Sequence, residues 1–477
     1  MNKITIALSA LAFLLSLSSC KGFLDFSPSD QIPDKEAITS AERMNVAMVG
    51  VYDLASDYTF LGRNVFALSD ASTDISWTDG SKGWLKTVYE MSTLEDTEGT
   101  LSDVWAQGLS VSNAAAKIID GGNTNVLSQK LTDSDKSIAE SAIGQAYGIK
   151  ALSNFYLINL FGLPYSESNK AAKGIILIKD KPVYEGEEVS RSTVGDAYES
   201  ILSDIAEAKK HMAMGGTEFS PFHLDPISMT ALEARVRLYM KDYSSAITLA
   251  QEVIDSKLFS LARGDEYASM WGVTTASKED IYTIGMASDD NMSANSINNL
   301  YGSYNFFVAP KVVMLLDTDD PRRAALIDDE NVQKARGLKF SGSSEGKNVS
   351  NVPVLRLSEM YLIIAEAKAQ LGQPDAVDYL FEVASRNPNL SKSDIPTDKT
   401  GLLKFISDER IREFFQEGHR FFDARRNGEL VTRSEGISFY YANWDVSKFV
   451  FPIPQSEVNA SGIEQNTDWF KQKPTIK

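Results

Sequence analysis

The sequence predicts a mainly α-helical protein, in which paired helices form a scaffold that carries a loop-rich insertion with short β pieces. Apolar residues recur at helical spacing through most of the chain, two stretches have the pattern of helix–turn–helix pairs, and a long polar segment with interleaved aromatic residues interrupts them. The 477 residues are 43% hydrophobic and 23% charged, as is typical of a folded globular protein.

Four stretches in the first half of the chain have the apolar periodicity of α-helices. They are Ile38–Ser56, Leu101–Ile119, Glu140–Phe161 and Thr193–Met212. The third is apolar almost all round, which predicts a buried helix. The fourth opens with Thr193 and, three residues later, Asp196, a spacing that predicts a capping box with aspartate in the role of the acid.

Two longer stretches predict pairs of helices joined by tight turns. Ile227–Lys257 turns at Lys241-Asp242, and Val354–Arg386 turns at Gly372-Gln373-Pro374. The second half of the first pair resembles the second helix of a tetratricopeptide repeat, and both pairs approximate the ~34-residue unit of such repeats. Their irregular separation predicts a degenerate tetratricopeptide-like scaffold interrupted by insertions.

The stretch Ser407–Gly428 predicts one long helix inside this helical body. Four phenylalanines fall on one stripe, Ser407 suits an N-cap, and Gly428 suits a helix end. Gly418 lies on the same face, where a neighbouring backbone could approach closely. Such a stripe needs a large apolar partner surface, so we expect the helix to be buried.

The N-terminus has the pattern of an export signal followed by a lipid attachment site. Lys3 precedes an apolar run from Ile4 to Leu17, which is too short to span a bilayer and suits a signal-peptide core. Leu17-Ser18-Ser19-Cys20 resembles a bacterial lipobox, and Cys20 is the one cysteine of the chain. We predict a signal peptide over residues 1–19, lipidation at Cys20 and a single domain over residues 20–477; the alternative is a free thiol.

Charge and composition exclude several classes of partner. The formal net charge of −18 disfavours nucleic acid and anionic lipid, because both require clustered lysine and arginine. With three histidines and one cysteine, the sequence predicts no zinc site, and it offers no cofactor motif. A neutral ligand is compatible with this negative net charge.

Two patterns suggest catalysis, and neither has the context that catalysis requires. Residues 342–346 match G-x-S-x-G, but they lie in a low-complexity loop without the strand and helix of a nucleophile elbow. Glu413 and Glu417 are a carboxylate pair among arginines, which favours ion pairing on a partly buried helix over glycoside hydrolysis. We therefore predict no catalytic residue, and we interpret His419 as a packing residue.

Two polar segments, residues 60–100 and 262–350, predict a ligand face. Sugars stack their C–H faces on aromatic rings and hydrogen-bond through their hydroxyls to short polar side chains. The residues that could provide such a site are Asp74, Trp77, Trp84, Tyr301, Tyr304 and Asn305. The alternative is that these rings fold back and pack the loops onto the scaffold. Trp105 and Trp271 are predicted to be structural.

Several motifs together resemble the SusD/RagB family of outer-membrane nutrient-binding lipoproteins of Bacteroidetes. The Ser407–Gly428 stretch carries ER-x-x-EFF-x-EGHRFFD-x-RR, which looks like the family's C-terminal signature. The other matching segments are GFLDFSPSDQI after the lipobox, NFYLINLFGLPY, RSTVGDAYESILSDIAEA, PVLRLSEMYLIIAEA and FPIPQSEVNASGIEQNTDW. Their number and order carry the resemblance, which covers nearly the whole chain.

The resemblance implies four tetratricopeptide-like helix pairs that support a loop-rich ligand face. It further implies a lipid anchor in the outer membrane, exposure at the cell surface, a SusC-like TonB-dependent transporter as partner, and oligosaccharide binding without cleavage. A peptide-binding member of the family and a structural helical-repeat lipoprotein of the envelope are the alternatives. The aromatic-rich insertion favours binding, since a scaffold has no need of such loops.

Overall fold

Long antiparallel helices form the body of the protein in the computed structural model, which describes residues 38–324, 326–433 and 437–477. The predicted signal peptide and Cys20 lie outside the described residues. The longer helices are Ala41–Ser56, Asn64–Ala71, Gly99–Gly121, Asp133–Phe161, Val194–Gly215, Pro226–Tyr239, Tyr243–Asp255, Leu357–Gln370, Ala376–Ala384, Lys399–Phe414, Arg420–Asn427 and Gln455–Ser461. Shorter helices are Lys86–Glu90, Asp265–Ser269, Ile297–Gly302, Pro310–Leu315 and Pro321–Ala324.

Helix Asp133–Phe161 lies at the centre of the main core. It packs against Val194–Gly215, Gly99–Gly121 and Ala41–Ser56, so apolar side chains on all its faces are buried. It begins seven residues before the predicted start, because the Thr132 hydroxyl accepts a hydrogen bond from the backbone N–H of Asp135 at 3.1 Å. The predicted buried helix is confirmed.

The other helix predictions in the first half of the chain are confirmed with ends shifted by a few residues. Thr193 and Asp196 form the predicted capping box. The pair Pro226–Tyr239 and Tyr243–Asp255 turns where predicted, and Lys241 adopts a left-handed backbone there, with φ of 63°.

The second predicted pair is also confirmed, except for its start. Helices Leu357–Gln370 and Ala376–Ala384 turn through Gly372, which has φ of 72°. Residues 352–356 form a strand instead of a helix, and this strand pairs with Asp280–Ile284 from the insertion. The β-branched residues of both segments suit a buried strand pair.

The prediction of one helix over Ser407–Gly428 is wrong. Helix Lys399–Phe414 ends before a bend in which Gln416 and Gly418 have positive φ, and a second helix starts at Arg420. At Gly418, an added Cβ atom would lie 2.5 Å from the Cα atom of Phe66, so the predicted close backbone approach is confirmed. Because the chain bends there, its four phenylalanines enter three separate core clusters.

Five two-stranded antiparallel pairs connect the loops of the described chain. Their strands are Ser76–Thr78 with Phe306–Val308, Lys173–Ile176 with Arg191–Thr193, Asp280–Ile284 with Val352–Arg356, Ile327–Asp328 with Arg336–Gly337, and Leu430–Arg433 with Tyr441–Asp445. The segment 60–100, one of the two polar segments predicted to form the ligand face, contains two helices and a strand and is largely buried. Within the described ranges, no helix combines the length and apolarity needed to cross a membrane.

Candidate ligand-binding site

The two polar segments predicted to bind ligand meet in a strand pair. Ser76–Thr78 pairs antiparallel with Phe306–Val308, and Trp77 lies opposite Phe307. The two rings pack with centroids 4.9 Å apart. Because the strands are antiparallel, the residues that follow the first strand and the residues that precede the second meet at one edge of the protein surface.

At that edge, Trp84 and Tyr304 stack on each other, with ring centroids 5.0 Å apart and planes 23° apart. Both rings are half-buried. The guanidinium group of Arg63 lies 4.4 Å from the centroid of the Trp84 ring and 4.8 Å from that of Tyr58. The result is an aromatic platform with a cation against it, and we call Tyr58, Arg63, Trp84 and Tyr304 the aromatic platform below.

Arg63 is held rigidly and forms no ion pair with any residue that the structure describes. Its Nε atom donates to the Asn64 side chain at 2.9 Å, and one terminal nitrogen donates to the Asn295 carbonyl at 2.9 Å. Burial lowers the pKa of its guanidinium to about 10, against the opposing influence of Tyr58 and Asp103. The group stays charged at neutral pH, and because only 4% of Arg63 is exposed, it lies behind the Trp84 ring as a support of the platform.

Short polar side chains, Asn305 among them, lie beside the platform. The Asn305 side chain donates to the Ser81 hydroxyl at 3.0 Å and accepts from Arg336 at 3.1 Å. Asp79 is exposed on the loop that carries Ser81, and hydrogen bonds from Ser81 lower the pKa of the Asp79 carboxyl. These groups provide donors and acceptors next to an apolar ring surface, which is the combination that a polyhydroxylated ligand requires.

Three of the predicted residues are buried instead of exposed. Tyr301 is 1% exposed, and its hydroxyl donates to Asp70 at 2.7 Å. Asp74 is 2% exposed and accepts hydrogen bonds from Arg420, at 2.9 Å, and from Lys311. Trp77 is 7% exposed in a small apolar cluster. The expectation that these side chains stand open on the loops is wrong, because the loops fold back onto the scaffold at these positions.

Glu413 and Glu417 lie in a buried ion network, as the alternative to catalysis predicted. Glu417 accepts from Lys339 at 2.6 Å and from Arg356 at 2.8 and 2.9 Å. Burial raises the pKa of the Glu413 carboxyl, but the guanidinium groups of Arg386, Arg356 and Arg322 overcome this effect and lower it to about 2. Both carboxylates are therefore paired with structural cations.

The remaining sequence patterns are also structural. Ser343 and Gly346 bridge each other in a tight turn, so the G-x-S-x-G match lacks the geometry of a nucleophile elbow. His419 stacks on Phe414 with centroids 4.3 Å apart. Trp105 is buried and donates to Glu457 at 3.0 Å, and Trp271 is buried beneath Lys339. Across the described residues, no group of three or more His, Cys, Asp or Glu side chains is placed to hold a metal ion.

Sequence reasoning missed Arg63 and Tyr58, which complete the platform. Tyr58 closely follows the helix Ala41–Ser56, and Arg63 precedes Asn64–Ala71. Tyr58 falls just before the predicted polar segment 60–100, and Arg63, inside it, is not an aromatic residue, so neither carried the signal that marked Trp84 and Tyr304. Their role depends on the loop closure that positions Trp84 over them.

Comparisons with known families assign the chain to a family. The model of the SusD family matches residues 330–469, and a second model, described as "Starch-binding associating with outer membrane", matches residues 22–238. SusD-like protein P2 of Formosa agariphila is 24% identical over 507 aligned residues, covering 94% of this chain and 96% of the relative.

Solved structures show the same architecture. A SusD superfamily protein from Bacteroides vulgatus is 28% identical, has a TM-score of 0.79, and covers 90% of this chain and 99% of its own. A protein described as a putative sugar binding protein, also from Bacteroides vulgatus, is 23% identical with a TM-score of 0.81 over 91% of this chain and 99% of its own. The chain is a member of the SusD-like family of non-catalytic binding proteins, and the mainly helical scaffold predicted from the sequence is confirmed.

Proposed function

We propose that this protein binds oligosaccharides without cleaving them, through the aromatic platform of Tyr58, Arg63, Trp84 and Tyr304. The observation that carries this proposal is the stacked Trp84–Tyr304 pair, half-buried at a surface edge with Arg63 against it. The names of the family models and relatives, which include starch binding and sugar binding, agree with it.

In this proposal, the predicted residues have different roles. Trp84 and Tyr304 provide ring surface for stacking, Asn305 provides hydrogen bonds to hydroxyl groups, and the buried Arg63 supports the Trp84 ring. Trp77, Asp74 and Tyr301 support the loops from below, since their side chains are already engaged inside the protein.

We further propose that the protein is lipidated at Cys20 and held on the outer membrane at the cell surface. There it would deliver its ligand to a SusC-like TonB-dependent transporter. The lipobox-like sequence before Cys20 and the outer-membrane association in the name of one family model support the location. Replacing Cys20 with alanine should abolish palmitate labelling and release the protein from the membrane fraction; retained labelling would contradict the anchor.

Calorimetry with the purified protein tests the binding site, with maltoheptaose as the first probe and a panel of other neutral oligosaccharides after it. Trp84→Ala or Tyr304→Ala should weaken binding about ten-fold, because a stacking contact contributes roughly 1–2 kcal/mol. The melting temperature should change little, because both rings lie at the surface edge.

Tyr184→Ala is the matched control, because Tyr184 is an exposed aromatic residue outside the platform. It should leave affinity unchanged. The proposal fails if a bound oligosaccharide is insensitive to both platform variants. A peptide library screened in parallel tests the peptide-binding alternative, and binding of peptides alone would favour that alternative.

A further inference from the structure

A cavity of about 730 Å³ lies at the C-terminal end of helix Asp133–Phe161, away from the aromatic platform. Its walls come from residues 163–173, from the end of helix Arg420–Asn427, and from the segment 465–468. Its volume is in the range of small-molecule sites. We call it the basic cavity, because six lysine and arginine residues line it against one aspartate, in a protein of net charge −18.

Arg425 is a buried cation without a carboxylate partner in the described chain. It is 3% exposed, and it donates to the backbone carbonyls of Asn159 and, at 2.8 Å, of Gly162. Its Nε atom is buried and has no hydrogen-bond partner among the described residues. An unsatisfied buried donor is costly, so this atom is a place where a ligand would be stabilised.

Arg191 is the second such cation on the wall. It is 8% exposed and donates to the carbonyls of Gly174, at 2.7 Å, and Glu464, at 2.9 Å, and to the Asn466 side chain at 2.7 Å. As for Arg425, no carboxylate oxygen of the described residues bonds to it. Burial lowers the pKa of Arg191 to about 10 and that of Arg425 to about 9, so both remain charged at pH 7.

The alternative is that these arginines serve only to cap the helix. Both donate to carbonyls at or near the end of Asp133–Phe161, where the helix dipole places a partial negative charge. That charge is equivalent to roughly half an elementary charge, whereas the two guanidinium groups carry two positive charges. Capping therefore leaves most of the positive charge uncompensated.

The other charged residues of the wall do not remove this excess. Asp468 pairs with Lys471 at 2.7 Å, Lys448 with Asp445 at 2.8 Å, and Arg426 with Glu366 and Asp423. Lys173 lies 3.3 Å from Glu464. Lys241 is exposed at the cavity and has no ion pair among the described residues, so it adds a third uncompensated cation.

We propose that the basic cavity binds a small acidic saccharide, with its carboxylate or sulfate group held by Arg425, Arg191 and Lys241. The side chains of Asn169 and Thr467 also line the cavity and suit the sugar hydroxyls. The half-buried ring of Tyr165 offers a stacking surface. Arg425 would bond the oxyanion through its unpartnered Nε atom, and Arg191 and Lys241 would attract it through their charge.

Calorimetry with the full-length protein in detergent tests this site, with D-glucuronate, glucose 6-sulfate and glucose as probes. We expect both anions to bind and glucose not to bind. Binding of one anion alone supports the site and identifies a carboxylate or a sulfate as its natural group. If neither anion binds at millimolar concentration, or if glucose binds equally well, the proposal is overturned.

Charge-removing variants locate the binding. Arg425→Gln should weaken anion binding about ten-fold or more, since a buried charge-assisted hydrogen bond is lost. Lys241→Asn should weaken it about three-fold, because Lys241 is exposed and screened by solvent. Asparagine tolerates the left-handed backbone at this position.

Lys257→Asn is the matched control, because Lys257 is also an exposed lysine with positive φ after a helix, and it lies outside the cavity. It should leave binding unchanged, as should Trp84→Ala. Loss of anion binding in Trp84→Ala instead of in the cavity variants would place the anion at the aromatic platform and overturn the proposal. If Arg425→Gln does not fold, two other variants test whether the anion binds in the basic cavity. They are Arg425→Lys, which keeps the charge, and Lys241→Asn.

Discussion

Two groups of buried arginines in this protein differ in what surrounds them. Arg356, under the bend before Arg420, donates to three glutamates, Glu279, Glu413 and Glu417, at 2.8 to 2.9 Å. Arg425, at the basic cavity, donates to carbonyl oxygens alone. Both side chains are almost fully buried.

This difference separates structural charge from charge that is available to a ligand. A buried cation that is surrounded by carboxylates is neutralised within the fold. Removing any one of these carboxylates therefore costs stability, because it leaves buried charge uncompensated. A buried cation with only neutral partners keeps its charge uncompensated, and the next anion that reaches it gains the full attraction. In a strongly acidic protein, such an exception is informative.

The largest expected effect comes from breaking the neutralised group. Glu417→Gln should lower the free energy of unfolding by ~3–5 kcal/mol, because Arg356 and Lys339 would keep their charges with fewer partners. Guanidinium denaturation measures the loss. Glu382→Gln, in an exposed pair with Arg263, should cost less than ~1 kcal/mol. Equal losses in both variants would contradict the distinction.

The second-largest effect is expected at a buried carboxylate that has no cation bonded to it, which is the inverse of a buried arginine without a carboxylate. Burial raises the pKa of Asp70 to about 7, although the Tyr301 hydroxyl donates to it. The folded protein therefore holds a proton that the unfolded chain releases near pH 4. Stability from this group is present at low pH and falls as pH rises toward 7.

Asp70→Asn removes this dependence. The free energy of unfolding of the variant, relative to that of the wild type, should be about 2 kcal/mol higher at pH 8 than at pH 5. Denaturation at both pH values measures this change. The exposed Asp289→Asn should show a constant difference. A constant difference for Asp70→Asn as well would mean that Asp70 ionises normally in the folded protein.

The smallest effect is expected at the basic cavity. Arg425→Gln should cost about 1–2 kcal/mol, because it loses charge-assisted bonds to two carbonyls but also removes an unpaired buried charge. Sulfate should stabilise the wild type more than chloride does at equal ionic strength, and this excess should be smaller in the variant, which keeps only the general kosmotropic effect of sulfate. A loss as large as that of Glu417→Gln would make Arg425 a purely structural residue.

Local sequence patterns predicted most of the scaffold. The Thr193–Asp196 capping box, the turns at Lys241 and Gly372 and the end at Gly428 depend on neighbouring residues alone, and all are present. The bend at Gly418 was not predicted, because its cause is the close approach of Phe66, more than 300 positions away in the chain. Spacing within Ser407–Gly428 is compatible with an uninterrupted helix.

The candidate site was predicted in part for the same reason. The sequence marks Trp84 and Tyr304 as aromatic residues in polar loops, and the structure stacks them. It marks Tyr301 and Asp74 equally, and only the tertiary contacts with Asp70 and Arg420 reveal that these two are buried. The walls of the basic cavity come from segments that lie far apart in the sequence, so no local pattern indicates it.

The bonds between the first and last parts of the described chain have a consequence for how the protein folds. Asp74 bonds to Arg420, and Arg433 donates to the carbonyls of Ala71 and Thr73, so these contacts join positions some 350 residues apart. Such high contact order slows folding, because the closing of a long loop precedes the gain from its contacts. Residues 60–80 therefore have no complete core until the segment 420–433 has been synthesised, and a nascent chain would expose their apolar side chains to chaperones until then.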